Sequence, residues 1–205
     1  MARPEGAEPR TRGSYAKSAA VRETIVDAAL EVFAAEGYRS GSLRAVALRA
    51  GMSEAGLIHH FPSKASLLRA VLERREEITA PFLPDVLTDP EAAVRGILEL
   101  TRHNAELPGR VELFATISSE AVAGDHPAHD YIVERYAAKR RLLVAAFGQL
   151  ADAGLLRDGI DPESAARWSV ALTDGLQLQW LLDRGSVDMV AEVREFLRRI
   201  TRLDL

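Results

Sequence analysis

The stretch SLRAVALRAGMSEAGLIHHF, residues 42–61, places two short helical patterns on either side of a tight turn. Ser42 is an N-cap for a helix from Leu43 to Ala50, with Val46 and Ala47 turned inward. Gly51 supplies the positive φ that a turn needs, and Ser53 starts a second helix carrying Leu57 and Ile58. That helix stops near Phe61, because the residue before Pro62 is biased away from helix. Two such helices pack only if their facing residues are small or apolar, and Val46, Ala47, Met52 and Leu57 meet that demand. The second helix is short enough for its N-terminal half to enter a major groove about 12 Å wide. The stretch reads as a helix-turn-helix that binds DNA.

Upstream, Val21, Ile25, Ala28, Ala29, Val32 and Phe33 recur at helical spacing, and Gly37 supplies a left-handed stop. Downstream, Ser63 caps a fourth helix with Leu67, Leu68, Val71 and Leu72 on one face. Residues 1–18 carry Pro4, Gly6, Pro9 and Gly13 without periodicity and read as a flexible basic arm. Arg3, Arg10, Arg12 and Lys17 either reach DNA or belong to an idle solvated tail. Pro81, Pro84 and Pro90 mark a boundary, giving a DNA-binding domain over 19–79 and a second helical domain over 80–205. In the latter, helical patterns run over about 91–106, 110–121, 128–153, 162–183 and 188–203, with Asp89-Pro90 and Asp161-Pro162 as start signals. Gly109, Gly124, Gly154 and Gly185 punctuate the ends. No strand pattern, repeat or low-complexity tract interrupts them. The expected fold is all-α, with about nine helices.

Composition narrows the function classes. The 205 residues contain no cysteine, which excludes disulfides and thiolate metal sites and fits a reducing compartment. No apolar run reaches the roughly 18 residues of a membrane span, and no signal-peptide stretch opens the chain, so a cytoplasmic location is expected. The net charge of −4 is unevenly spread: residues 1–80 hold 12 Lys/Arg against 10 Asp/Glu, and residues 81–205 hold 14 against 20. A mildly basic front on an acidic body fits a DNA-facing segment joined to a body with another task. No Ser-His-Asp set, phosphate loop or metal-ligand spacing points to an enzyme, and no cofactor is implied. His59 and His60 are adjacent, and helical neighbours point about 100° apart, so they do not make a metal pair.

The run from about 19 to 79 resembles the N-terminal domain of TetR-family transcriptional regulators. The resemblance is carried by Ile25, Ala28, Ala29, Phe33, Gly37-Tyr38, Ser42, Val46-Ala47, Ala50-Gly51-Met52-Ser53, Leu57, His60-Phe61, Ser63-Lys64 and Leu67-Leu68. It implies a homodimer on a near-palindromic DNA operator, with Lys64 at the position of a phosphate-contacting lysine. Ile58 stands where the family usually has a tyrosine, and Gly56, where the family often has a small hydroxyl residue, belongs to the expected DNA-binding set because a missing side chain lets backbone and phosphate come close. Ile58 either meets a thymine methyl or packs in the core; Glu54 either accepts from a cytosine amino group or simply suits the helix dipole. His59 is the leading base-reading residue, and His60 is expected near the sugar-phosphate backbone. Ser42, Arg44 and Ala55 complete the expected DNA-binding set.

Asp174-Gly-Leu-Gln-Leu-Gln-Trp-Leu-Leu resembles a stretch in TetR regulators with a BetI-like C-terminal domain. Trp168, Leu172, Leu176 and Trp180 form an i, i+4 stripe, while Val170, Leu178, Leu181 and Leu182 face elsewhere. A helix apolar on more than one face needs cover on two sides. Together with Val190, Val193, Phe196, Leu197 and Ile200, this predicts a four-helix homodimer interface through helices 162–183 and 188–203. A small-molecule effector pocket is expected among the central helices, with His103, Phe114, Ser118, Tyr131, Trp168 and Gln177 as candidate linings. The cluster Asp125-His126-Pro127-Ala128-His129-Asp130 reads as helix capping in preference to a metal site.

Overall fold

The computed structural model describes residues 12–82 and 89–205. Nine α-helices are present among them: α1 (Arg12–Ser40), α2 (Leu43–Arg49), α3 (Glu54–His60), α4 (Lys64–Thr79), α5 (Pro90–Glu106), α6 (Pro108–Glu120), α7 (His129–Asp152), α8 (Pro162–Leu182) and α9 (Met189–Ile200). A 3₁₀ turn over Ala80–Phe82 follows α4. The only β-type pairing among the described residues is an isolated bridge between Leu156 and Thr201. The all-α expectation is met.

Local chemistry sets most boundaries. Ser42, Ser53 and Ser63 each cap a helix by accepting an N–H three residues on, at 3.0, 3.1 and 3.0 Å. Asp89 and Asp161 do the same ahead of Pro90 and Pro162, and Asp188 opens α9. Two boundaries differ from the sequence reading. The first helix begins at Arg12, so the non-periodic stretch ending near residue 18 is helical in its last part; Arg3 and Arg10 lie outside the described residues, as does Pro84. The start of α7 has Ala128 as N-cap with no side-chain cap, so the acid expected there does not perform that task. Instead the buried His126 ring takes the Ala128 N–H on Nδ1 at 3.2 Å, and His129 Nδ1 meets the Ala121 carbonyl at 2.8 Å.

Gly37 has φ 75° and ψ 164°, which ends the regular part of α1 and turns Tyr38–Ser40 into a separate turn. That turn docks on α6. The hydrophobic interior falls into two clusters. The first joins Ile25, Phe33, Val46, Leu57, Phe61 and Leu68 with Leu113, Phe114 and Ile117 of α6. The second gathers Val94 and Ile97 of α5, Leu143 and Phe147 of α7, Trp180 of α8 and Leu197 of α9. Helix α6 therefore closes the core built by α1 to α4.

Candidate functional site

Within the helix-turn-helix, Val46, Ala47, Leu57 and Phe61 are all at most 2% exposed and fix the angle between α2 and α3. Gly51 makes the turn at φ 69°. With those residues inside, the opposite face of α3 is forced outward. Glu54, Ala55, Ile58 and His59 are exposed together on it, and Ser42 and Arg44 are exposed at the start of α2. Ile58 is 42% exposed, so the core-packing alternative for it is wrong: Leu57 already fills the inward position one residue earlier. Gly56 is half-buried, and a Cβ there would come 3.3 Å from the Ser53 hydroxyl that caps the helix. Glycine at 56 thus keeps the cap tight.

The remaining members of the expected DNA set are tied to α1. Lys64 donates to the Arg39 carbonyl at 3.1 Å and its ammonium sits 4.6 Å from the centre of the Tyr38 ring. Burial pulls its pKa below the ordinary lysine value, against the pull of Glu120 and Glu36. Its charge stands at the joint between α4 and the end of α1, not in open solvent. The His60 carbonyl accepts from Arg22 at 2.6 Å, and the Arg22 guanidinium stacks 4.1 Å from the Phe61 ring centre. Arg22 was not among the residues singled out from sequence. An arginine on the outer side of the first helix has no pattern that announces a partner 38 residues away.

A groove-like cavity of about 990 Å³ runs between α4 and α7. Its α4 wall extends from Ala65 and Ser66 through Leu68 and Leu72 to Glu76 and Thr79; Tyr131, Arg135, Lys139 and Leu142 of α7 face it, with Leu100 of α5 at one end. A second pocket of about 30 Å³ shares Leu100, Lys139 and Leu142 and adds Asn104, Thr173 and Gln177. Of the expected linings, Tyr131 borders the large cavity and Gln177 the small one. The other four border neither. Phe114 is buried under two guanidiniums, those of Arg75 at 3.9 Å and Arg135 at 4.1 Å from its ring centre. His103 stacks on Phe82 at 4.7 Å. The Ser118 hydroxyl is buried without a partner among the described residues.

Trp168 is 45% exposed and belongs to the outside of α8. The reason is geometric: steps of four residues drift by about 40° each, so a stripe from Trp168 to Trp180 rotates by about 120°. Trp168 ends up outside, Leu172 half-buried, Leu176 and Trp180 inside. The true outer stripe steps by three and four: Trp168, Ala171, Gly175, Leu178 and Leu182, with Leu178 and Leu182 at 55% and 80% exposure.

A charged network lies beside the large cavity. Glu76 accepts from Arg135 at 2.5 Å and from the Tyr131 hydroxyl at 2.9 Å. Burial pushes the Glu76 pKa up, but Arg135, Tyr131 and Arg75 outweigh it and hold the carboxyl below its ordinary value. Asp174 accepts from the Tyr136 hydroxyl at 2.7 Å, and burial with that contact pushes the phenol up to about 12. No group of three or more metal-ligating side chains occurs among the described residues, and no helix there is long and apolar enough to cross a membrane.

Residues 25–71 match the model for bacterial regulatory proteins of the tetR family, and residues 90–202 match the C-terminal model of BetI-type transcriptional repressors. The transcriptional regulator SrpR of Pseudomonas putida is 37% identical over 76 residues, covering 37% of this chain and 36% of SrpR. The A-factor receptor protein of Streptomyces griseus is 29% identical over 180 residues, covering 86% of this chain and 61% of the receptor. The match thus spans about a third and three fifths of those two relatives. A solved structure described as the molecular basis for control of antibiotic production by bacterial hormones aligns with a TM-score of 0.71 at 28% identity, covering 95% of this chain and 100% of that one. The second model alone covers more than half of the sequence, and the chain belongs to the TetR family of bacterial transcriptional regulators, with a BetI-type C-terminal domain.

Proposed function

We propose that this chain is a homodimeric repressor that binds a near-palindromic operator through α3 and leaves it when a small molecule enters the α4–α7 cavity. One observation carries the reading. The same helix, α4, begins at Lys64 beside the DNA-reading unit and forms a wall of the cavity from Ala65 to Thr79. A ligand that fits better when α4 and α7 are further apart favours a different placement of the reading helices. It then lowers DNA affinity by the same coupling free energy by which DNA lowers ligand affinity. The A-factor receptor is by its name a receptor, which supports a ligand-responsive body here.

The exposed stripe of α8 supports the dimer, whereas Val193, Leu197 and Ile200 of α9, expected at the interface, are buried in the chain's own core and leave Val190 and Phe196 half-buried. Trp168, Ala171, Leu178 and Leu182 are exposed along one face of a helix whose other side is already packed, and a second copy of the chain would cover them. Two recognition helices roughly 34–36 Å apart then enter successive major grooves. In this reading Arg44, Ile58 and His59 meet base edges or phosphate, Ser42, Ala55, His60 and Lys64 position the backbone, and Glu54 favours the helix start. The function is regulatory and not enzymatic, and DNA as partner puts the protein in the cytoplasm. The test is fluorescence anisotropy of labelled upstream intergenic DNA across a broad small-molecule collection. The reading expects at least one compound to lower affinity tenfold or more; unchanged affinity with every compound speaks against it.

A further inference from the structure

We propose that the inner end of the α4–α7 cavity receives the negative head of an amphipathic monocarboxylate, with Lys139 as its counter-ion and Leu72, Leu100 and Leu142 along its apolar body. The inference deepens the effector reading above and rests on it only for the word effector.

Three cations meet two carboxylates at this end. Glu76 is engaged by Arg135 and Tyr131, and Asp174 by Tyr136. Tyr136 is a neutral donor, so Asp174 keeps its charge and offsets one of the two remaining cations, Arg75 and Lys139, neither of which has an acid within ion-pair distance among the described residues. The Arg75 Nη1 is buried with no hydrogen-bond partner, its guanidinium lying against Phe114. Lys139 reaches only the Thr173 hydroxyl, at 3.5 Å, the outer limit of a hydrogen bond. A half-buried cation without an acid at ion-pair distance is costly, and the structure offers it a cavity in place of an acid. Lys139 also borders the small pocket, where the amides of Asn104 and Gln177 supply further donors for a carboxylate.

The electrostatics agree. Burial pulls the Lys139 pKa down to about 8; Asp174 and Glu76 oppose this, while Arg135 and Arg75 add to it. Arg75, drawn down to about 9 chiefly by burial, stays charged at neutral pH. The rim of the cavity is acidic in sequence but largely neutralised: Glu73 pairs with Arg69 at 2.9 Å and Glu134 with Arg141 at 2.6 Å. Asp130 sits in the first turn of α7, where the helix dipole favours it. The uncompensated charge is therefore positive and lies at the inner end, beside leucines. An anion with an apolar tail complements both.

The experiment is calorimetric titration of the full chain with octanoate, 1-octanol and octylammonium, which share a tail and differ in head charge. Octanoate is expected to bind at least tenfold more tightly than 1-octanol, with octylammonium weakest. Near pH 8 its binding should take up protons, read as heats that depend on the buffer, because the anion returns the charge to Lys139. Lys139→Met should reduce octanoate to the octanol level, and Lys139→Arg should keep the preference. Equal affinities, a preference for octylammonium, no octanoate binding at millimolar concentration, or an unchanged preference in Lys139→Met each overturn the proposal. DNA plays no part in this assay. Selective octanoate binding with unchanged operator affinity would refute the octanoate-as-effector reading alone; release by a neutral molecule with no octanoate preference would refute the charge assignment alone.

Discussion

The Glu120 carboxylate accepts the backbone N–H of Tyr38 at 3.2 Å, pinning the end of α6 to the turn that closes α1. Its other oxygen would lie 2.9 Å from a Cβ placed on Gly37, whose φ of 75° already disfavours any side chain. Gly37→Ala should therefore cost about 1–3 kcal/mol of stability in urea unfolding. Part of that cost is the clash with Glu120, so it should shrink in a Glu120→Ala background, while the backbone strain persists. Strictly additive losses would show that the two residues do not touch in solution.

The same carboxylate faces a histidine. His126 Nε2 lies 3.6 Å from Glu120, and the His126 ring packs edge-on against Tyr38 at 5.0 Å. Burial holds the His126 pKa below its ordinary value; Glu120 and Asp125 pull it up, and Arg39 pushes it further down. The unfolded chain then binds the extra proton first. The stability contributed by a neutral His126 is complete above about pH 6.5 and is lost as pH falls through the lowered native value. Urea midpoints should drop between pH 7.5 and 5.5, and the drop should be smaller in His126→Gln, which can still accept the Ala128 N–H. An identical pH dependence in the variant would contradict the assignment.

Sedimentation addresses the outer face of α8. If Trp168, Leu178 and Leu182 meet a second chain, Leu178→Glu combined with Leu182→Glu should convert a dimer into a folded monomer and weaken operator binding at least tenfold. A wild-type monomer at micromolar concentration, or a double variant that stays dimeric, would place the interface elsewhere.

Lys64 and His59 should separate by what they change. Lys64→Ala should weaken binding to all operator variants alike and reduce the salt slope by about one ion. Because its ammonium also holds the Arg39 carbonyl and the Tyr38 ring, the variant should lose about 1 kcal/mol of stability as well. His59→Ala should leave stability within about 0.5 kcal/mol, since the side chain is exposed, and alter base preference. Equal losses on every operator variant from His59→Ala would remove it from base readout.

The helix-turn-helix was legible because its constraints are local. Serine caps, Gly51 and the inward Val46, Ala47 and Leu57 lie within one 20-residue window, and each acts on neighbours three or four positions away. Asp89-Pro90 and Asp161-Pro162 marked helix starts for the same reason. The cavity was not legible at that level. Residue type and an i, i+4 stripe do not show that Phe114 is covered by arginines from α4 and α7 or that Trp168 lies on the outer face. One signal was available: the apolar stripe Leu68, Val71, Leu72 runs on into Arg75 and Glu76. A stripe that continues into charge announces buried ion pairing. Which carboxylates and cations meet there depends on α7 and α8, more than 50 residues away.

A footprint of the full chain on its upstream intergenic DNA tests the central claim, that two copies of α3 read one near-palindromic operator. The expected result is a compact protected site with two half-sites about one helical turn apart. Its affinity should fall by about 1–3 kcal/mol for each base pair changed within a half-site. Long, non-palindromic protection, or equal affinity for scrambled DNA, would contradict it.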